Sequence, residues 1–174
     1  MGTQYEALRA EDCAFVETAK LFFIASCSTH EVNLSPKGYD TLKIRDNRTL
    51  IYLDYPGSGN RTARDIREGG TVTLMWCAFE GAPKILRCFC EGELIEPDDM
   101  EFEAYASHFA GIDAKSVRRI IRFNIRAVES SCGMSVPLMA YEGERPALRE
   151  WAEDMAEAGR LWEYIAEHDA PPKL

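Results

Sequence analysis

The sequence predicts a mainly β fold, an antiparallel barrel of six or seven strands with helices on its periphery. Three observations predict it. Short runs rich in β-branched and aromatic residues recur from Leu21 to Glu129, separated by turn-forming clusters. Most successive runs are close enough to pair as hairpins, and they are too many for a single open sheet. Helical periodicity is confined to a stretch near the start, one small helix between strands, an excursion before the last strand, and a tail over about residues 145–170. That pattern disfavours a doubly wound parallel sheet.

Taken in order, residues 5–19 carry Ala7, Leu8, Cys13, Phe15, Val16 and Ala19 among charges and read as an amphipathic helix. Leu21 to Cys27 reads as a buried strand, and Ser28-Thr29-His30-Glu31 turns it into Val32-Asn33-Leu34-Ser35. His30 at that tip reads as solvated. Pro36 and Gly38 end the second strand, with Lys37 between them as a compact cation. Thr41 to Ile44 and Thr49 to Leu53 form the next pair. Thr71 to Phe79 and Lys84 to Ile95 follow, the latter bent at Gly92. Glu96 to Phe109 reads as a helix with Phe102, Tyr105, Ala106 and Phe109 as its apolar stripe. In the last strand, Arg119 to Glu129, alternation sets Ile121, Phe123, Ile125 and Ala127 against Arg122, Asn124 and Arg126. Ser130 to Pro137 is an irregular loop, and Leu148, Trp151, Ala152, Met155, Leu161, Trp162 and Ile165 mark one or two terminal helices.

At 174 residues the chain is expected to form one domain, 1–174, with that helical tail as an extension. A net charge of −9 argues against a general nucleic-acid surface, which needs a concentrated basic face. The longest apolar run, Leu21 to Ala25, is far too short to span a bilayer, and the first residues lack a signal-peptide pattern, so a cytoplasmic location without membrane attachment is expected. The six cysteines are then expected to stay reduced, and the single-residue gap between Cys88 and Cys90 misses the usual zinc spacing, so no metal site is expected.

The stretch with chemical content runs from Thr49 to Gly70. A strand feeds a short helix, Arg61 to Arg67, through Pro56-Gly57-Ser58-Gly59-Asn60, with Asn60 as the natural cap. Free backbone N–H groups, a positive helix end and two arginines then face one spot, which suits a phosphate. It is neither the nucleotide-triphosphatase loop nor Gly-x-Gly-x-x-Gly. Arg61, Lys37 and Arg64 are the candidate cations for a phosphate dianion, and Ser58, Asn60 and Thr62 can complete its hydrogen bonds.

This order of motifs resembles the pyridoxamine 5′-phosphate oxidase-like family of flavin-binding split β-barrels over about residues 15–140. Val32-Asn33-Leu34-Ser35-Pro36-Lys37-Gly38 is similar to the family strand that ends in a flavin-contacting lysine. Tyr52-Leu53-Asp54-Tyr55 with Gly57-Ser58-Gly59-Asn60-Arg61-Thr62 is similar to the segment whose hydroxyl and basic side chains hold the flavin phosphate. Arg87 resembles the polar position facing the isoalloxazine edge, and Ser131 to Met139 is similar to a loop of one family branch. The resemblance implies a split barrel, FMN as cofactor on Ser35, Lys37, Ser58, Asn60, Arg61, Thr62 and Arg64, and a homodimer with the flavin at the subunit interface. Trp76 and Arg87 are candidate walls for the ring, and Ser131 and Cys132 candidate substrate-side residues. The sequence departs from the oxidase itself, because no arginine precedes Lys37 in its strand and no Arg-Leu-x-Pro segment occurs in Trp162 to Leu174. An FMN-dependent oxidoreductase acting on an unidentified small substrate is the first expectation. A non-catalytic FMN-storage or stress-sensing protein, or a split barrel using deazaflavin or haem, is the alternative.

Overall fold

The computed structural model describes residues 2–29, 31–57 and 59–169. His30 and Ser58 therefore lie outside the described residues. Strands β2 (Phe22–Cys27), β6 (Thr71–Cys77) and β7 (Ile85–Ile95) alternate as the sequence predicts, turning Phe22, Ile24, Val72, Leu74, Trp76, Leu86, Cys88 and Cys90 into a shared interior. With β3 (Asn33–Lys37), β4 (Leu42–Asp46), β5 (Thr49–Asp54) and β8 (Arg119–Ser131) they form one antiparallel sheet in the order β3-β2-β6-β7-β8-β5-β4.

The connection between β3 and β4 dictates the curvature. These strands stand at opposite ends of the order, six strand spacings apart, or roughly 29 Å if the sheet were flat. Only residues 38–41 join them, a link reaching roughly 18 Å when fully extended. The sheet must curl until its ends approach, which makes it a split barrel. Pro36 sits in β3, at the end of the order, where a missing ladder donor does least harm.

Helix α1 (Ala10–Thr18) is shorter than the sequence suggests, because Thr3–Tyr5 forms a strand, β1, instead of its beginning. The reason is an unfilled length of β8: β5 pairs with it only over Arg119 to Asn124, and β1 takes the same side at Val128 to Ser130. The alternation in β8 is also interrupted. A register shift between Phe89 and Cys90 leaves Arg126 unpaired, so the inward series runs Ile121, Phe123, Ile125 and then Val128, not Ala127.

Helix α2 (Arg61–Arg67) lies against β2, β6 and β7, and two glycines let it approach. A Cβ on Gly92 would stand 2.5 Å from Ile66 Cδ1, and one on Gly70 2.5 Å from the Cys27 carbonyl oxygen. A second core lies behind β5 and β8, where Ile51, Leu53 and Ile120 meet Phe102, Tyr105, Phe109, Val117 and Ala152. Helix α3 (Phe102–Ala106) is brief, yet Phe102, Tyr105 and Phe109 of the expected stripe are buried and Ala106 is half-buried. Helices α4 (Ala147–Glu157) and α5 (Leu161–Glu167) are separated at Gly159, whose φ of 67° ends α4. None of the six cysteines is in a disulfide, and burial pushes the Cys88 thiol up to about 12. Among the described residues no helix is long and apolar enough to cross a membrane.

Candidate functional site

Where β3 ends beside β5 and the first turn of α2, the split leaves a cavity of about 360 Å³, a size used by small-molecule sites. Ser35, Lys37, Asn60, Arg61 and Thr62, five of the residues singled out in the sequence, line it together. They come from two segments brought side by side by the curl of the sheet. Asn33 ties those segments, since its side-chain amide donates to Thr62 Oγ1 at 3.0 Å and to Ser26 Oγ at 3.1 Å, and its carbonyl accepts from Ser35 at 3.3 Å. Asp65, on α2, accepts from Ser26 at 2.6 Å and Ser28 at 2.9 Å.

The loop between β5 and α2 is held from beneath by charges. Asp54 ends β5 with its side chain 6% exposed and accepts from Arg118 Nε at 3.1 Å and Nη2 at 3.0 Å, with Arg119 at 3.6 Å. Arg118 spends its other guanidinium arm on the Gly59 carbonyl at 3.1 Å, and Arg119 donates to Asn60 Oδ1 and to Glu96 at 3.1 Å. Asn60 thus stands at the cap position of α2 without capping it: its side chain donates to Asp169 and accepts from Arg119. A buried guanidinium is a stronger partner than a helix N–H, and it takes the cap's oxygen. Gly57 and Gly59 have no left-handed φ, and a Cβ on either would meet no atom within 4 Å among the described residues. Their effect is to leave bare backbone at the cavity.

The charge balance suits an anion. Asp54 is already neutralised, while Lys37 and Arg61 both face the cavity. Burial lowers the Lys37 pKa, opposed by attraction to Asp54, and its ammonium stands 5.7 Å from the centre of the Tyr52 ring. Arg61 pairs at 3.1 Å with Glu31, whose side chain is half exposed, a contact an incoming phosphate can replace. Arg64 does not line the cavity, but its Nη1 is buried without a hydrogen-bond partner among the described residues, three positions along α2 from Arg61. Two cations, the hydroxyls of Ser35 and Thr62 and a bare loop fit a phosphate monoester. Since α2 has only seven residues, side chains rather than its end carry that fit.

Other residues singled out in the sequence lie elsewhere. Trp76 is 1% exposed, stacked on Phe22 at 6.0 Å, and lines a different cavity, of about 610 Å³, together with Phe22, Tyr39 and Lys43. Arg87 is on β7, bonded to Glu129 at 3.2 Å and Ser131 at 3.3 Å. Ser131 and Cys132 border a separate hollow with Asp12 and Lys84. The structure adds Tyr39, Tyr55, Arg118 and Leu148 to the cavity. Tyr39 carries the one positive φ of a non-glycine residue among those described, 59°, a rare conformation that collects at ligand sites.

The family model for pyridoxamine 5′-phosphate oxidase matches residues 8–132. The pyridoxamine 5′-phosphate oxidase family protein ustO of Aspergillus flavus is 32% identical over 160 residues, 83% of this chain, and the chain spans only 64% of that relative's length. The fold is similar to that of HupZ from Group A Streptococcus, with a TM-score of 0.56 and 16% identity over 71% of this chain and 98% of that one. It is also similar to an FMN-binding protein of Syntrophomonas wolfei, with a TM-score of 0.50 and 15% identity over 68% of this chain and 81% of that one. With a match that spans α1 and strands β2 to β8, the chain belongs to the pyridoxamine 5′-phosphate oxidase family.

Proposed function

We propose that the protein is an FMN-dependent oxidoreductase that holds the flavin phosphate on Ser35, Lys37, Arg61 and Thr62, with Arg64 completing the charge. The observation that carries this reading is the meeting of those four side chains at one cavity whose carboxylate, Asp54, is already paired. The similar Syntrophomonas protein is named for FMN, which supports the choice of nucleotide. When bound, the flavin supplies hydride or electron transfer; the protein supplies position and electrostatics. Lys37 and Arg61 neutralise the phosphate, the β5–α2 loop presents bare backbone, and Arg118 and Arg119 keep that loop in place. Asn60, engaged on both sides, acts as part of that support rather than as a phosphate ligand.

A homodimer with the site near its boundary is part of the same proposal. Leu34 is 62% exposed on edge strand β3 and Val32, just before that strand, is 71% exposed, alternating with Asn33 and Ser35, which line the cavity. Apolar side chains on a free sheet edge invite a second chain. Vitamin B6 phosphate as substrate gains no support from this chain's residues, given the departures around Lys37 and in the tail.

The test is the visible absorption spectrum of freshly purified protein, followed by denaturation and mass analysis of what is released. Flavin bands and released FMN are expected. A released deazaflavin or haem, or a colourless protein that takes up no added FMN, would overturn the assignment.

A further inference from the structure

The helical tail meets the rim of the cavity at both of its ends. An irregular segment leaves the end of β8, and α4 and α5 follow it. Ahead of α4, the Arg145 carbonyl accepts from the Tyr39 hydroxyl, and the Arg149 guanidinium stands 5.4 Å from the centre of the Tyr39 ring. Leu148, in the first turn of α4, lines the cavity itself. Beyond α5, Asp169 accepts from the Asn60 side chain and stands 3.7 Å from Arg67. Tyr39 belongs to the link between β3 and β4, and Asn60 to the loop between β5 and α2, so the tail bridges two segments that bound the cavity.

Between these ties the tail is thinly held. Every residue from Pro137 to Leu148 is exposed, and that segment reaches the barrel through the Met139 N–H on the Phe79 carbonyl at 2.9 Å and the Tyr141 N–H on Glu80 at 3.3 Å. The buried side chains of α4 and α5 are Ala152, Leu161 and Ile165, whereas β2 buries every second residue. Few buried contacts and an exposed backbone put a segment at the low-stability end of a fold, where it opens without the rest. Tyr39 keeps its left-handed φ of 59° where the tail engages its hydroxyl, and such backbones persist only where their surroundings hold them.

We propose that residues 133–169 form a lid on the cavity, hinged in the irregular segment after β8 and latched by Tyr39 on Arg145 and by Asn60 on Asp169, so that FMN enters and leaves when the latches release. The lid rests on the flavin reading of this cavity and adds the step that governs exchange of the cofactor. Asn60 joins the lid to the support of the loop, since its other partner is Arg119.

The first test is stopped-flow mixing with FMN, on the full chain carrying Tyr39→Phe or Asp169→Ala. Each change removes one latch from the free and the loaded protein alike. Association and dissociation rate constants are therefore expected to rise together, about threefold to tenfold, with Kd within about twofold of the parent. Unchanged rates would overturn the lid. So would faster dissociation with unchanged association, which would make these residues cofactor contacts. The second test needs no flavin. Ala152 is 0% exposed on α4, and Ala152→Cys places a thiol there that iodoacetamide reaches when the tail lifts. In flavin-free protein that thiol is expected to react at least about tenfold faster than Cys88, buried inside the barrel, and about threefold to tenfold faster again with either latch removed. Equal rates at the two thiols, or no effect of the latches, would contradict the lid, and Leu161→Cys gives the same reading should Ala152→Cys fail to fold. If FMN does not bind the parent, the flavin reading falls, and the alkylation rates alone decide whether the tail opens.

Discussion

Two aspartates are enclosed by this fold, Asp12 at 1% exposed and Asp54 at 4%, and each is paired with a cation, yet they do different things. Asp12 collects donors: Lys84 at 2.7 Å, the Tyr5 hydroxyl at 2.7 Å and the Arg9 N–H at 3.1 Å. It thereby fastens the end of β1 and the start of α1 to the approach to β7, and none of these partners lines the cavity between β3 and α2. Asp54 is held by Arg118 and Arg119, whose remaining N–H groups extend to the Gly59 carbonyl and the Asn60 side chain. Pairing a buried carboxylate does not by itself mark a site. The donors left over after pairing do, and here they shape the loop beside the cavity.

Breaking the second pair has the largest expected effect. Asp54→Ala leaves Arg118, 5% exposed, without its counter-charge, and is expected to lower unfolding free energy by about 3–5 kcal/mol in urea titration. FMN affinity, measured on the fraction still folded, is expected to fall with it as the loop loses its support. Asp12→Ala frees a lysine that is 22% exposed and can turn to water, so a smaller loss of about 1–3 kcal/mol is expected, with FMN affinity unchanged. An equal fall in FMN affinity for both variants would break the contrast.

The pH dependence of the two regions separates them further. Burial pushes the Asp12 carboxyl upward, and the hydrogen bonds from Lys84, Tyr5 and Arg9 outweigh it, leaving the carboxyl below its ordinary value. A folded-state pKa below the unfolded one gives stability that is fully present above the unfolded value of about 3.9 and lost as pH falls through the folded value. Acid titration of thermal stability in Asp12→Asn is therefore expected to lack a loss that the parent shows below about pH 4. At the cavity the sensitivity is alkaline. Burial depresses Lys37, so a phosphate loses this cation at lower pH than the usual lysine value of about 10.4, and FMN affinity is expected to fall as pH rises toward it. Lys37→Met, weaker at neutral pH, is expected to show a flatter profile in the same titration.

The strands were legible because their alternation is strong, and the loop was legible because a proline, two glycines and two arginines cluster between Pro56 and Arg64. What the sequence missed followed from pairing between distant segments. β1 has only three residues, too few for a period, and exists because β8 is longer than β5. In β6 the contrast between the two faces is weak, Val72, Leu74 and Trp76 against Thr73, Met75 and Cys77, so nothing local told that Trp76 points into the core. Arg118 precedes its strand without any periodic signal, and its role appears only once Asp54 is opposite. Asn60 was placed correctly along the chain, but its side chain answers to Arg119 and Asp169.

The most direct measurement is an FMN titration of the wild type and of Arg61→Ala at matched concentration, read by quenching of flavin fluorescence. Removing one charge-assisted contact to the phosphate is expected to weaken binding about tenfold to a hundredfold while circular dichroism and oligomeric state are unchanged. Unchanged FMN affinity in a folded Arg61→Ala protein would contradict the placement of the phosphate between β3 and α2.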